Sequence, residues 1–273
     1  MPRLIIEAGN TEKHYWVDLW RFRELFYILA WRDVAVRYKQ SVAGVMWAVL
    51  QPLLTILIFT VIFRNIAKLP AEGRVPYPLM VLAGMLPWQF FAASLSASSQ
   101  SVVTNSNLIS KIYFPRMIIP AAAVITASVD FLISFAILLI MMVGYSFWPT
   151  WRLLTLPLFI GVAFFAALGP GLLLTALTVR YRDVRFLIPF LVQFGIYVSP
   201  VGFSADLIPE KWRLLYAMNP MTGVIDGFRW ALLGGYSRIH IEGFFVSGIV
   251  SLLLLVCGVL YFRKTERSFA DVI

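Results

Sequence analysis

The sequence contains one cysteine, Cys257, and two histidines, His14 and His240, in 273 residues. A lone thiol builds no disulfide framework, which excludes a small stapled secreted domain. Two histidines and a cysteine far apart in the chain form no metal-ligand cluster, so no metal site is expected. Charge is scarce as well: 14% of residues are Asp, Glu, Lys or Arg, against about 25% in an average soluble domain. So few charges do not cover the surface of a soluble protein of this length, and the 60% apolar content excludes disorder. Acids are the scarcer sign, 14 against 23 Lys and Arg, for a net charge of +9. The basic residues are not gathered in one soluble domain, so no nucleic-acid partner is expected. A phosphate-cradling loop is missing too. Gly258 to Thr265 approaches one, but it lacks the second glycine and leaves an apolar segment instead of following a strand. There is no G-x-S-x-G elbow. The chain is expected to be no enzyme and to carry no cofactor of its own.

What the sequence has is long apolar runs. Roughly 20 apolar residues cross a bilayer as a helix. Six stretches fit, at about 42–63, 78–98, 118–144, 153–178, 186–203 and 243–262. Continuous runs favour helices over a barrel, whose strands would alternate. The fifth is the shortest and holds Pro189 and Pro200. The expected fold is an all-α integral membrane protein with six transmembrane helices. Residues 1–41 would form a cytoplasmic N-terminus, 42–262 the membrane domain and 263–273 a cytoplasmic tail.

Charge placement sets the orientation. Lys and Arg number seven in 1–41, two in 99–117, three in 179–185 and three in 263–273. The alternate loops, 64–77, 145–152 and 204–242, hold three, one and four. The positive-inside rule then puts both termini in the cytoplasm. The first 40 residues have no uninterrupted apolar core, so no cleavable signal is expected. Tyr77, Tyr145, Trp148 and Trp151 fall at outer ends, and Trp31 and Tyr38 just before the first span, as interfacial aromatics do.

Three segments do not span. In 16–39, Leu19, Phe22, Phe26 and Leu29 share one helical face. Arg21, Glu24 and Arg32 lie opposite, and Trp20, Tyr27 and Trp31 line the flank. Such an amphipathic helix lies in the membrane interface or packs on a partner. Asp33 would fall on the apolar face, so a turn is expected near it. Residues 99–117 form a polar loop with a short helix expected over about 104–112. In 204–242, Asn219-Pro220, Asp226 and Arg229 interrupt an apolar stretch. One charge at a span centre costs about 2.5–3.5 kcal/mol. Two short helices, about 209–217 and 221–233, dipping in and returning between spans 5 and 6, are expected instead, at a pore mouth or gate.

Asp130 is the one acid near the middle of a span, either functional or a bonded acid holding helices together. Gln51 and Gln193 read as interhelical glue, and the four-residue spacing of Ala163, Ala167 and Gly171 as close packing. Nothing here is an engine, but the chain has what a transport subunit driven by a separate protein needs.

Five motifs carry a resemblance. They are Arg32-Asp33-Val-Ala-Val-Arg37-Tyr38-Lys39-Gln40-Ser41-Val-Ala-Gly44-Val-Met-Trp47 with Gln51-Pro52-Leu53; Leu86-Pro87-Trp88 with Phe90-Phe91; Asn107-Leu108-Ile109, Lys111 and Tyr113-Phe114-Pro115-Arg116 with Ile119-Pro120; Tyr181-Arg182-Asp183; and Ser199-Pro200 with Ile208-Pro209, Trp212 and Asn219-Pro220. From about residue 20 the chain resembles permease subunits of ABC-2 type exporters, in the polysaccharide branch that exports O-antigen, capsule or teichoic acid. The resemblance implies a homodimer in the cell inner membrane and a separate ATPase subunit dimer, which binds ATP and Mg. It implies a coupling helix at 104–116, with Asn107, Lys111, Tyr113, Phe114 and Arg116 at the ATPase. It likewise implies a gate helix before the first span, and an outer gate of re-entrant helices with Pro200, Pro209, Trp212, Asn219 and Pro220. On this footing the substrate is a polyprenyl-diphosphate-linked glycan. Arg32, Arg37 and Lys39 would attract its diphosphate, unless they serve topology alone. Trp47, Trp88, Phe90, Phe91 and Tyr197 would offer flat faces to sugars, the alternative for any one of them being packing against lipid. Rivals are an ABC-2 exporter of a smaller lipid or drug, a secondary transporter, which would show paired broken helices, and a lipid transferase, which would need clustered acids or histidines.

Overall fold

The computed structural model describes residues 15–39, 42–68, 73 and 75–269. His14, and Gln40 and Ser41 of the first motif, lie outside the described residues. Among the described residues the chain is helical, with no strand. Five segments are long and apolar enough to cross a membrane: Met46–Ile66, Tyr77–Thr104, Ile118–Gly144, Trp151–Arg180 and Ile241–Ser268. They match five of the six expected spans.

The N-terminal helices are α1 (Tyr15–Arg21) and α2 (Arg23–Lys39), almost continuous across Phe22. α3 (Val42–Phe59) follows and ends in a π-helical turn, Thr60–Ile66. α4 (Tyr77–Thr104), α5 (Ser106–Ile109), α6 (Ile118–Gly144) and α7 (Leu156–Arg180) come next. The chain closes with α8 (Val184–Val198), α9 (Glu210–Tyr216), α10 (Pro220–Leu232) and α11 (Ile241–Thr265).

α4 is the axis of the bundle, with almost every residue from Tyr77 to Trp88 buried. Small residues let its neighbours approach. Thr175 on α7 donates to the Ser98 carbonyl at 2.7 Å, and Gly171 has no room for a side chain because Ser98 Oγ would lie 2.5 Å from its Cβ. Ala163 and Ala167 are buried on the same helix, so the four-residue spacing serves packing. On its other side α7 meets α11 backbone to backbone at Gly169 and Gly258. With no hydrophobic drive between helices in lipid, such close approach is what joins them.

Three local expectations change. Asp33 does not end the N-terminal helix, which runs on to Lys39. The buried face stops at Leu29 and Ala30, and beyond it Asp33 accepts from the Arg32 guanidinium. The loop helix is only Ser106–Ile109, because Asn105 leaves helical geometry and its side chain donates back to the Ser101 carbonyl at 2.8 Å. The fifth apolar run forms a 15-residue helix, α8, about 22 Å long. Its Pro189 sits within the helix, and the chain turns extended at Ser199 before Pro200.

Two short helices follow α8 close to the expected positions, α9 and α10. Asn219 caps α10 by accepting from Met221 N–H at 3.0 Å, and Pro220 takes the first helical position, where its missing N–H is harmless. α10 is buried almost throughout, against α4, α7 and α11.

Candidate functional site

A cavity of about 500 Å³ opens beside α4, lined from α2, α3, α4, α6 and α8. Trp47, Trp88 and Phe90 form aromatic wall, and Gln51, Gln89 and Ser96 add polar groups. The other two expected aromatics stand elsewhere. Phe91 packs behind Trp88, with ring centroids 5.5 Å apart. Tyr197 is exposed on α8, away from the cavity.

The charged residues in the cavity wall are Arg37 and Asp130, and they face each other. Arg37 Nη1 lies 2.6 Å from Asp130 Oδ2. The Tyr38 hydroxyl donates to Oδ1. Asp130 sits about 18 Å along α6 from the helix start at Ile118, so the end of α2 meets α6 well along its length. Burial, and then the Asp130 carboxylate, push the Tyr38 phenol up to about 12, which keeps it a donor. The other expected cations are dispersed. Arg32 donates to Asp33 and, at 2.9 Å, to Asn105 Oδ1 at the loop; Lys39 is exposed. Arg37 was expected to face a ligand, and Asp130 to be either functional or a bonded acid holding helices together; the bonded reading is the one its contacts with Arg37 and Tyr38 match.

At the opposite end of α2, the face Leu19, Phe22, Phe26 and Leu29 packs on Ile109, Phe114, Met117, Ile118, Phe262 and Phe269. The flank residues Trp20, Tyr27 and Trp31 point outward. Tyr15 donates to Glu266 at 2.9 Å, and Arg116 donates to the Glu266 carbonyl. Arg263 lies over the Tyr15 ring at 4.8 Å. Tyr15 and Glu266, near the two ends of the described chain, are thereby tied to each other, and Glu266 to the 99–117 loop. The loop residues then divide by exposure: Asn107, Lys111, Ile112 and Tyr113 are exposed, while Phe114 is buried and Arg116 faces inward.

At the other end of the bundle, a groove of about 480 Å³ is lined by Pro209, Trp212, Tyr216, Asn219 and Val198. Asn219 also donates to Ser199 Oγ at 2.9 Å, and Ser247 on α11 donates to the Ala217 carbonyl at 2.8 Å. Arg229, fully buried, donates to the carbonyls of Met80, Val201 and Phe203. The two charges that argued against a span are thus both matched inside protein. His240 is close to Asp206 (3.2 Å) and Asp226 (3.7 Å).

A family model described as ABC-2 type transporter matches residues 24–233. The chain belongs to the ABC-2 type transporter family. The matched range takes in the cavity wall, the 99–117 loop and the α9–α10 pair. The O-antigen export system permease protein RfbA of Klebsiella pneumoniae is 28% identical over 253 residues, 92% of this chain and 95% of the relative. Its namesake in Myxococcus xanthus is 25% identical over 258 residues, covering 94% and 98%. The polysialic acid transport protein KpsM of Escherichia coli is 21% identical over 238 residues, covering 87% and 92%.

One pH effect follows for this ABC-2 protein. The Asp226 hydrogen bond first, and then the charges of Asp226 and Asp206, outweigh burial and raise His240 above its ordinary 6.5. A group raised on folding stabilises fully below its unfolded pKa and loses that contribution as pH rises through its folded one. Thermal stability in detergent will therefore fall as pH rises from about 6.5, and His240→Gln will flatten the fall. An equal slope in the variant contradicts this account of His240.

Proposed function

We propose that the chain is the permease subunit of an ATP-driven exporter, passing a polyprenyl-diphosphate-linked polysaccharide across the inner (plasma) membrane. The observation that carries this reading is the cavity, where a cation at the α2 end meets an aromatic and amide wall. A diphosphate needs the first and sugar faces suit the second. The relatives that match nearly the whole chain bear names of O-antigen and polysialic acid exporters. Six spans are completed by α8, with α1 and the start of α2 at the cytoplasmic interface, the end of α2 reaching in along α6, and α9–α10 re-entrant from outside. Both termini are cytoplasmic. Two copies pair to enclose the path, and a dimer of a separate ATPase docks on the 99–117 loop.

Deleting the gene will leave lipid-linked glycan in the cytoplasmic leaflet and strip it from the cell surface. Unchanged surface glycan overturns the reading; loss of a small lipid instead favours the smaller-substrate exporter. For the docking, Lys111→Ala with Tyr113→Ala removes exposed contacts only, at about 1–2 kcal/mol each if they are central. Pull-down of the ATPase will weaken at least tenfold while the permease remains folded. Full assembly would make the loop a simple connector.

A further inference from the structure

The cavity was expected to offer Arg37 as an open cation, but its charge is already answered. Both Asp130 oxygens are engaged, one by Arg37 Nη1 at 2.6 Å and one by the Tyr38 hydroxyl. No other acidic side chain lines the cavity among the described residues. Resting on the functional reading above, we propose that Asp130 is a specificity-determining residue: a competing anion that only a diphosphate headgroup displaces from Arg37.

The reasoning is one of exchange. An incoming anion does not meet a bare guanidinium. It must replace a carboxylate already 2.6 Å away and leave that carboxylate with Tyr38 alone. A singly charged phosphodiester offers Arg37 about what Asp130 does, so the exchange gains nothing and costs Asp130 its partner. A diphosphate carries more charge and more acceptor oxygens, and it wins. This is discrimination by a built-in rival and not by a better pocket. It solves a problem that any lipid-glycan exporter faces, because ordinary phospholipids surround the cavity in great excess. A bare arginine at its wall would bind them. The pair is partly open, with side-chain exposures of 50% for Arg37 and 27% for Asp130, so a headgroup reaches it without unfolding α2.

The test uses the permease with its ATPase in nanodiscs of neutral phosphatidylcholine. Polyprenyl diphosphate, or phosphatidylglycerol, is added and ATP hydrolysis is read. The wild type responds to the diphosphate and not to phosphatidylglycerol. In Asp130→Asn the half-stimulating diphosphate concentration falls about tenfold, the ratio a ~1.4 kcal/mol pair is worth, and phosphatidylglycerol now stimulates. Tyr38→Phe shifts the concentration the opposite way, because a displaced Asp130 would then have no donor at all. Arg37→Gln abolishes the response to the diphosphate. A purely structural cluster would instead lower stimulation in Asp130→Asn and Tyr38→Phe alike, with selectivity unchanged, and that result overturns the proposal. If Asp130→Asn does not fold, Asp130→Ser, which also removes the charge, is read in its place with the same two outcomes. If the wild type ignores the diphosphate, the functional reading fails and this proposal with it. If the wild type responds and neither variant shifts, only this proposal fails.

Discussion

Arg229→Met will abolish export and detach the segment between α8 and α9 from the bundle. Arg229 is fully buried. Its guanidinium donates to Met80 O on α4 at 3.2 Å, Val201 O at 2.7 Å and Phe203 O at 2.8 Å. Methionine fills similar volume but donates nothing, so three buried carbonyls lose a charged donor. Each such loss costs about 1–3 kcal/mol, and the sum approaches the whole margin of about 5–15 kcal/mol that keeps a protein folded. Melting in detergent will drop by about 10 °C or more, or the protein will not purify as a single species. Arg229→Lys keeps the charge but cannot reach three carbonyls in different directions, so it will recover only part of the loss. Gly84 leaves the space this guanidinium needs, since a Cβ there would lie 2.8 Å from Arg229 Nη2. A normal melting curve for Arg229→Met would show that the three bonds do not hold the segment between α8 and α9.

Gly258→Ala will be as damaging, although it adds one methyl group. The new Cβ would collide with the Gly169 carbonyl oxygen. That oxygen is backbone, so α7 and α11 must move apart along their contact. Overpacking costs about 1–3 kcal/mol where side chains give way, and more here because no side chain can. Gly248→Ala on the same helix meets nothing within 4 Å. It is expected to be neutral, or better by up to about 1 kcal/mol from helix propensity. Comparing the two variants by thermal melting separates packing from propensity; equal curves would refute the close helix crossing.

Much of this architecture was readable in the residues. Long apolar runs set five of the spans, because hydropathy is a local property and a bilayer leaves the backbone few alternatives. Asn219-Pro220 marked the start of α10 for an equally local reason, a capping side chain followed by a residue that needs no N–H. The α9–α10 pair was legible because Asp226 and Arg229 made a lipid-exposed helix too costly. Partnerships were not legible. That Arg37 and Tyr38 would find Asp130, 92 residues away from Tyr38, depends on how α2 lies along α6, and no spacing in either segment encodes that. The same holds for the cavity. Trp47, Trp88 and Phe90 share it while Tyr197 does not, because α8 turns that ring outward. The Asp33 turn failed because one acid on an apolar face was weighed without its neighbour Arg32, which binds it in place.

In the proposed function the cavity between Arg37 and Trp88 is the path of a lipid-linked glycan. Photo-crosslinking tests it most directly. A photoreactive residue at Trp47 or Gln89, in membranes holding radiolabelled lipid-linked glycan and the ATPase, should label the glycan. The same probe at Leu252, exposed on α11 and outside the cavity wall, should not. Labelling at Leu252 with none at Trp47 and Gln89 would contradict the account.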